Sequence, residues 1–138
     1  MLLLKIVTPD GITYESEIDQ VSVSTQNGEI TVLQNHIPLI SVLKAGEIRI
    51  LKSGHEVDLA VSSGVLEVRP HNEVYILADT AERAEHIDLE RAESARKRAE
   101  ELMAQKQTLE DVEFALLQAK LEKELARLKV GKKYKNIR

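Results

Sequence analysis

The chain contains no cysteine and no tryptophan. Without a thiol there is no disulfide framework and no thiolate nucleophile, which fits a reducing compartment. Aromatic residues are limited to Tyr14, Tyr75, Tyr134 and Phe114. Base-stacking platforms for single-stranded nucleic acid need more aromatic faces than that. Positive charge is not in excess: the net charge is −4, which argues against general DNA binding. No run approaches the ~20 apolar residues that cross a bilayer, so membrane contact is expected only through a partner. The opening Met1–Val7 stretch is short and interrupted by Lys5, so it does not read as a signal peptide. No Ser/His/Asp set, carboxylate pair, metal-ligand spacing or phosphate loop is present, so neither an enzyme nor a metal site is expected.

Proline and glycine are absent in a more telling way. Neither occurs between Ala81 and Val130, whereas all three prolines and five of the six glycines precede Ala81. Nearly half of that later stretch is charged, and Ala and Leu supply most of the rest. The charge changes with it: residues 1–80 carry 5 basic and 11 acidic side chains, and residues 81–138 carry 14 and 12. An acidic body followed by a slightly basic arm suggests that the arm meets something anionic.

The body reads as strands. Leu2–Val7 is stopped by Pro9-Asp10-Gly11, a strong turn signal, and Ile12–Glu15 follows. Val21, Val23 and Thr25 alternate with serines, and Asn27-Gly28 turns the chain into Ile30 and Val32. Ile48 and Ile50 alternate with Glu47 and Arg49. Ser53-Gly54, Ser63-Gly64 and Pro70-His71-Asn72 then separate runs at Val57–Val61, Val65–Arg69 and Val74–Ala78. Strands about 8–12 residues apart with turn chemistry between them indicate an antiparallel sandwich or barrel. No helical period interrupts them, so a parallel sheet is not expected.

The arm reads as two helices with a break near Gln105–Thr108, where Thr108 and Asp111 match a capping box with Asp in place of Glu. Ala92, Ala95, Ala99 and Met103 share one stripe of the first helix. Phe114, Leu117, Leu121, Leu125 and Leu128 form a stripe on the second, with Ala115, Ala119 and Ala126 roughly 120° away. The expectation is an antiparallel hairpin closed by its alanine faces, leaving a leucine face to dock on the body or on a partner. A hairpin with two docking places is a candidate switch. The basic tail Lys132–Arg138 reads as a frayed terminus.

Four segments carry a family resemblance: Gly28-Glu29-Ile30, His36-Ile37-Pro38-Leu39, Ser62 to Pro70 with Gly64-Val65-Leu66-Glu67-Val68 at its centre, and Ile76 to Ala84 with Ala78-Asp79-Thr80-Ala81-Glu82. Their order and spacing resemble the epsilon subunits of bacterial F-type ATP synthases over nearly the whole chain. One departure is Thr31-Val32, where the family usually has Gly followed by Ile or Leu. The resemblance implies an α+β fold, an N-terminal antiparallel β-sandwich over 1–84 and a C-terminal antiparallel α-helical hairpin over 85–138. It implies a non-catalytic rotor subunit of a proton- or sodium-translocating complex on the cytoplasmic face of the bacterial membrane. The sandwich would bind the gamma subunit and the c-ring, with Glu29 and His36 in the loop region that meets the ring. The hairpin would fold down on the sandwich or extend along gamma into the alpha/beta head, where it blocks ATP hydrolysis.

Ile87-Asp88-Leu89-Glu90-Arg91-Ala92 resembles the I/L-D-x-x-R-A motif with which epsilon subunits of some bacilli bind ATP. Asp88 and Arg91 are neighbours on a helix, and Arg91 and Arg98, two turns apart, share a face. Lys123 and Arg127 are four apart on the second helix. In a folded hairpin these cations can surround phosphate oxygens while Ala92 leaves room for the nucleoside. By resemblance the ATP-binding set is Glu82, Ile87, Asp88, Arg91, Ala92, Arg98, Lys123 and Arg127. ATP would act as a regulatory ligand that favours the folded-down state, and no cofactor is required. Lys123 departs from the family, which carries arginine there. On the residues alone the favoured reading of Asp88 is a helix-start residue with Arg91 as its ion-pair partner. The alternative function is a free-standing module whose coiled hairpin captures a partner helix.

Overall fold

The computed structural model describes residues 1–105 and 111–137. Nine strands come first: β1 Leu2–Thr8, β2 Gly11–Ile18, β3 Gln20–Thr25, β4 Gly28–Val32, β5 Leu39–Lys52, β6 His55–Val61, β7 Gly64–Arg69, β8 Glu73–Ala78 and β9 Ala81–Arg83. A 3₁₀ turn, Ala84–His86, leads to the helices α1 Leu89–Gln105 and α2 Asp111–Ile137. The expected class, a β-sandwich followed by a helical pair, is the one observed.

Strands form because apolar side chains alternate. Leu2, Leu4 and Ile6 are buried and their neighbours are not, and Val74, Ile76 and Ala78 repeat the pattern on β8. Turn chemistry closes the ladders. Ser53 and Gly54 both have positive φ, which matches the right-handed twist of a two-residue hairpin between β5 and β6. Asp19 Oδ2 accepts a hydrogen bond from the Ser53 backbone N–H at 2.8 Å and fixes that turn to the β2–β3 corner.

The long β5 joins the two layers. Residues Leu39–Leu43 pair with β7, and Gly46–Lys52 pair with β6. The path β2-β1-β8-β7-β5-β3-β4 therefore bends at Lys44–Gly46, and β6 and β9 extend the sheet beside the second half of β5. The core between the layers holds Leu2, Leu4, Ile6, Ile18, Val21, Val23, Leu43, Ile48, Ile50, Leu59, Leu66 and Ile76, all nearly inaccessible.

Two expectations about the body change. β1 pairs with β8 in parallel, Leu3 opposite Glu73 through Val7 opposite Leu77, while every other pairing is antiparallel. A parallel pair needs a long connection, and here strands β2–β7 supply it without a helix. The first half of β5 and all of β9 also escape a reading by alternation. Ile40 and Val42 are apolar on the outward face, and Ala81–Arg83 has only three residues.

The helices pack on each other, and α2 packs on β5 and β6. α1 starts at a side-chain cap: the Asp88 carboxylate accepts from the Arg91 backbone N–H at 3.1 Å. Ala92 and Ala99 are buried as the α1 stripe requires. The α2 alanines behave otherwise. Ala126 is buried beside Leu43, Ala45 and Gly46 of the sandwich, whereas Ala115 and Ala119 are exposed. Ala126 thus lets α2 approach the sandwich, while α2 also packs along α1. Of the leucine stripe, Leu128 is buried, Leu117 and Leu121 are half-buried, and Phe114 and Leu125 are exposed. The capping box at Thr108 lies outside the described residues.

The tail expectation is also corrected. α2 continues helically to Ile137, and Val130 and Gly131 within it are buried. Val130 joins Ala60 of β6 and Ala84 in a small apolar cluster edged by Ile87 and Tyr134. Lys133 then reaches Glu47 of β5 at 2.9 Å.

Candidate functional site

The face between the hairpin and the sandwich gathers most of the residues singled out above. Glu82 on β9 pairs opposite Ala60 of β6, which directs its carboxylate toward α2. Arg127 donates to it through Nε at 2.8 Å and a terminal nitrogen at 3.3 Å. The other terminal nitrogen of Arg127 donates to Glu124 at 2.8 Å. Glu124 is only 4% exposed, so this forked pairing satisfies a carboxylate that has left water. Burial works against the Arg127 charge, but the hydrogen bonds to Glu82 and Glu124 outweigh it and hold the guanidinium above its ordinary pKa.

The motif residues lie close by along the chain but in different surroundings. Ile87 is half-buried at the edge of the Val130 cluster, and Asp88 is occupied as the α1 cap. No side-chain ion pair joins Asp88 to Arg91 among the described residues. Arg91 and Arg98 are exposed and line one shallow depression of about 410 Å³ with Glu90, Ser94 and Ala95. Ala92 is fully buried. Lys123 lines another depression, about 350 Å³, between α2 and the Ser62–Ser63 and Asp79–Thr80 corners. The structure therefore brings Glu82 and Arg127 together, and Arg91 and Arg98 together. Lys123 stands with neither pair in those depressions.

Among the described residues, Arg91 and Arg98 have no ion-pair partner, whereas Arg127 is held by two carboxylates. The arrangement has cations available for an anion on α1 and a pre-neutralised cation on α2. It has no nucleophile–base pair, and the described residues contain no group of metal-ligating side chains.

Glu29 borders a cleft with Arg49 and with Lys129 and Lys133 of α2, whereas His36 lies in the β4–β5 loop. Glu29 is the second residue of β4 and is paired with Arg49. His36 Nδ1 lies 2.6 Å from the Ile37 carbonyl, which accepts from the ring when that nitrogen carries the proton. The loop's exposed area is largely apolar: Leu33 and Ile37 are exposed, and Ile37 is 75% exposed. A second apolar surface was not anticipated. Val42, Val65 and Leu77 stand opposite one another across β5, β7 and β8, and Val7 of β1 continues the row. All but Val7 are well exposed. The signal was present in the sequence, because Val42, Val65 and Leu77 are apolar at positions where strand alternation calls for polar residues.

Comparison with known proteins places this geometry. Residues 1–84 match the model of the ATP synthase delta/epsilon chain β-sandwich domain, and residues 85–132 match its long α-helix domain. An ATP synthase epsilon chain from Bacillus licheniformis is 45% identical over 131 residues, 95% of this chain and 98% of that protein. One from Bacillus mycoides is 42% identical over 128 residues, 93% of this chain and 94% of that protein. Among solved structures, a chain of the Euglena gracilis mitochondrial ATP synthase superposes with a TM-score of 0.76 at 22% identity. It covers 93% of this chain and 79% of that one, and it speaks for the fold. With the sandwich, the helical pair and both domain models matched in order, this chain belongs to the ATP synthase delta/epsilon chain family.

Proposed function

We propose that the chain is the epsilon-type subunit of the central rotor of an F-type ATP synthase, without catalysis of its own. In this reading the sandwich joins the gamma subunit to the c-ring, and the helical hairpin gates ATP hydrolysis. The observation that carries it is the uneven docking of α2. Its C-terminal half is fastened to the sandwich by Val130, Arg127 and Lys133. Its N-terminal half leaves Val112, Phe114 and Leu116 exposed. A helix fastened at one end, with unburied apolar residues at the other, has something to gain from a second docking place.

The outward row Val42–Val65–Leu77 suits the gamma contact, and the Leu33–Ile37 loop with Glu29 and His36 suits the c-ring contact. No described helix is long and apolar enough to cross a membrane, so attachment to the cytoplasmic face runs through these partners. The coupling ion is left to the membrane sector.

The test is a complex assembled with a chain ending at Ala84. Every residue of the main core lies before that point, so the sandwich keeps its own support. Hydrolysis by the truncated complex is expected to exceed that of the full-length complex. Equal rates would remove the gating role.

ATP is the regulatory ligand we assign to the hairpin, with Arg91 and Arg98 as the available cations and Ile87, Asp88 and Ala92 shaping the start of α1. Glu82, Lys123 and Arg127 would contribute once the nucleotide competes with the Glu82–Arg127 pair. A ligand that binds only the docked hairpin shifts it toward docking by its differential affinity. Calorimetric titration should therefore show ATP favoured over ADP, and Arg91→Ala should cost ~2–5 kcal/mol of binding. No heat and no thermal shift at millimolar ATP would reduce Asp88 and Arg91 to a capped helix start.

A further inference from the structure

The last turns of α2 meet the sandwich at an acidic cluster that the nucleotide site does not use. Glu47 on β5 and Glu56 and Asp58 on β6 lie on one face of the β5–β6 ribbon, where Arg49 stands opposite Asp58. Lys133 reaches into this group from α2. Its Nζ lies 2.9 Å from Glu47, 3.4 Å from Glu56 and 3.6 Å from Asp58. Asp58 is 7% exposed, and its Oδ1 is buried without a hydrogen-bond partner. The helix that covers Asp58 thus brings one cation to three carboxylates and leaves one carboxylate oxygen unsatisfied.

We propose that Lys133 and the Glu47–Glu56–Asp58 cluster form a proton-sensitive latch that holds the C-terminal end of α2 on the sandwich. The proposal concerns the docked hairpin itself and is read on the isolated chain, so it stands or falls separately from gating of hydrolysis. A buried carboxylate with an orphan oxygen and two acidic neighbours is the group most relieved by a proton. Burial is the main cause that raises the Asp58 pKa, to about 6, and Glu56 and Glu47 add to it against the pull of Lys133. Arg49 is shared with Glu29 and Glu47. Lys129 borders the same cleft from α2, and Glu82, further along the interface, is taken by Arg127.

When α2 leaves, Asp58 regains water and its pKa falls back toward the ordinary carboxylate value. The docked state then binds more protons than the released one. Protonation of Asp58 adds nothing to docking above about pH 6, adds progressively as pH falls below that, and has its full effect below the ordinary value near 3.8. Between pH 7.5 and pH 5 the docking equilibrium constant should rise about tenfold.

The chain has no cysteine, so fluorophores can be attached at Asp10→Cys and Asn136→Cys, both exposed positions. Energy transfer is followed through a urea titration at pH 7.5 and pH 5, which keeps the equilibrium measurable when docking is tight. The full-length chain should show the tenfold strengthening at pH 5, and Asp58→Asn should show no pH response in that window. A response that persists in Asp58→Asn assigns it to a histidine and overturns the proposal, as does no response in the parent chain. Lys133→Ala, a change on a helix surface that leaves the sandwich core intact, should weaken docking at pH 7.5 and regain part of it at pH 5. Unchanged docking in Lys133→Ala at pH 7.5 also overturns the latch, whatever Asp58→Asn does.

Discussion

Gly64→Ala is expected to destroy the cooperative fold of the sandwich. Gly64 opens β7 and stands opposite both Leu43 of β5 and Ala78 of β8. A Cβ there would overlap the Leu77 carbonyl oxygen and come within 2.9 Å of the Ala78 Cα. Both obstacles are backbone of a paired strand, so relief requires opening the β7–β8 ladder. The cost should reach at least ~3 kcal/mol, a large share of the ~5–15 kcal/mol that holds a typical domain. Gly131 provides the contrast. A Cβ at Gly131 would meet Leu89 Cδ2 at 2.6 Å and Ile87 Cγ2 at 3.2 Å, both ends of side chains. Gly131→Ala also gains ~1 kcal/mol of helix propensity, so its net effect should be small and confined to the hairpin. Thermal melts of the two variants decide the matter: a cooperative Gly64→Ala melt near the parent midpoint would contradict the close approach of β7 and β8.

Arg127→Ala should release α2 from the sandwich while the sandwich stays folded. The substitution removes the cation that holds both Glu82 and the nearly inaccessible Glu124. An unpaired buried carboxylate costs ~3–5 kcal/mol, much more than an exposed ion pair contributes. Undocking lets Glu124 return to water without disturbing the strands, so that is the route the molecule should take. Hydrogen exchange along α2 should accelerate while β1 and β8 keep their protection. Glu124→Gln in the same chain should restore part of the docking, because it removes the stranded charge and its coupling to Arg127. Unchanged protection along α2 would mean that Val130 and Lys133 hold the helix unaided.

The parts of the molecule legible in the sequence are those governed by neighbours along the chain. Leu2, Leu4 and Ile6 alternate, Ser53-Gly54 turns, and Asp88 caps the helix that starts at Leu89. The parts that were not legible depend on partners far away in sequence. The parallel β1–β8 pair joins strands separated by most of the sandwich, and no local pattern announces it. The docking face of α2 was not legible because Ala126 suits close approach to any surface, and only the tertiary fold selects the sandwich. The pairing of Arg127 with Glu82 was not legible, because Glu82 lies 45 residues earlier. Lys133 was read as part of a frayed end because Glu47 lies 86 residues earlier. Arg91 and Arg98 were placed on a shared face by helix geometry alone, and they line one depression.

The parallel pairing also sets an order of events during synthesis. β1 leaves the ribosome before the rest of the sandwich, and its antiparallel partner β2 follows at once. Its other edge must wait for Glu73–Leu77. At ~5–20 residues per second that wait is on the order of 4–15 s, during which one edge of β1 stays unpaired. A nascent chain in this state presents an apolar ribbon with one unpaired edge, the kind of surface that holdase chaperones recognise and that invites misassembly. The helices emerge after the strands, onto a sandwich that has just closed. A hairpin born after its docking surface is complete can attach, detach and attach again without involving the folding of the body.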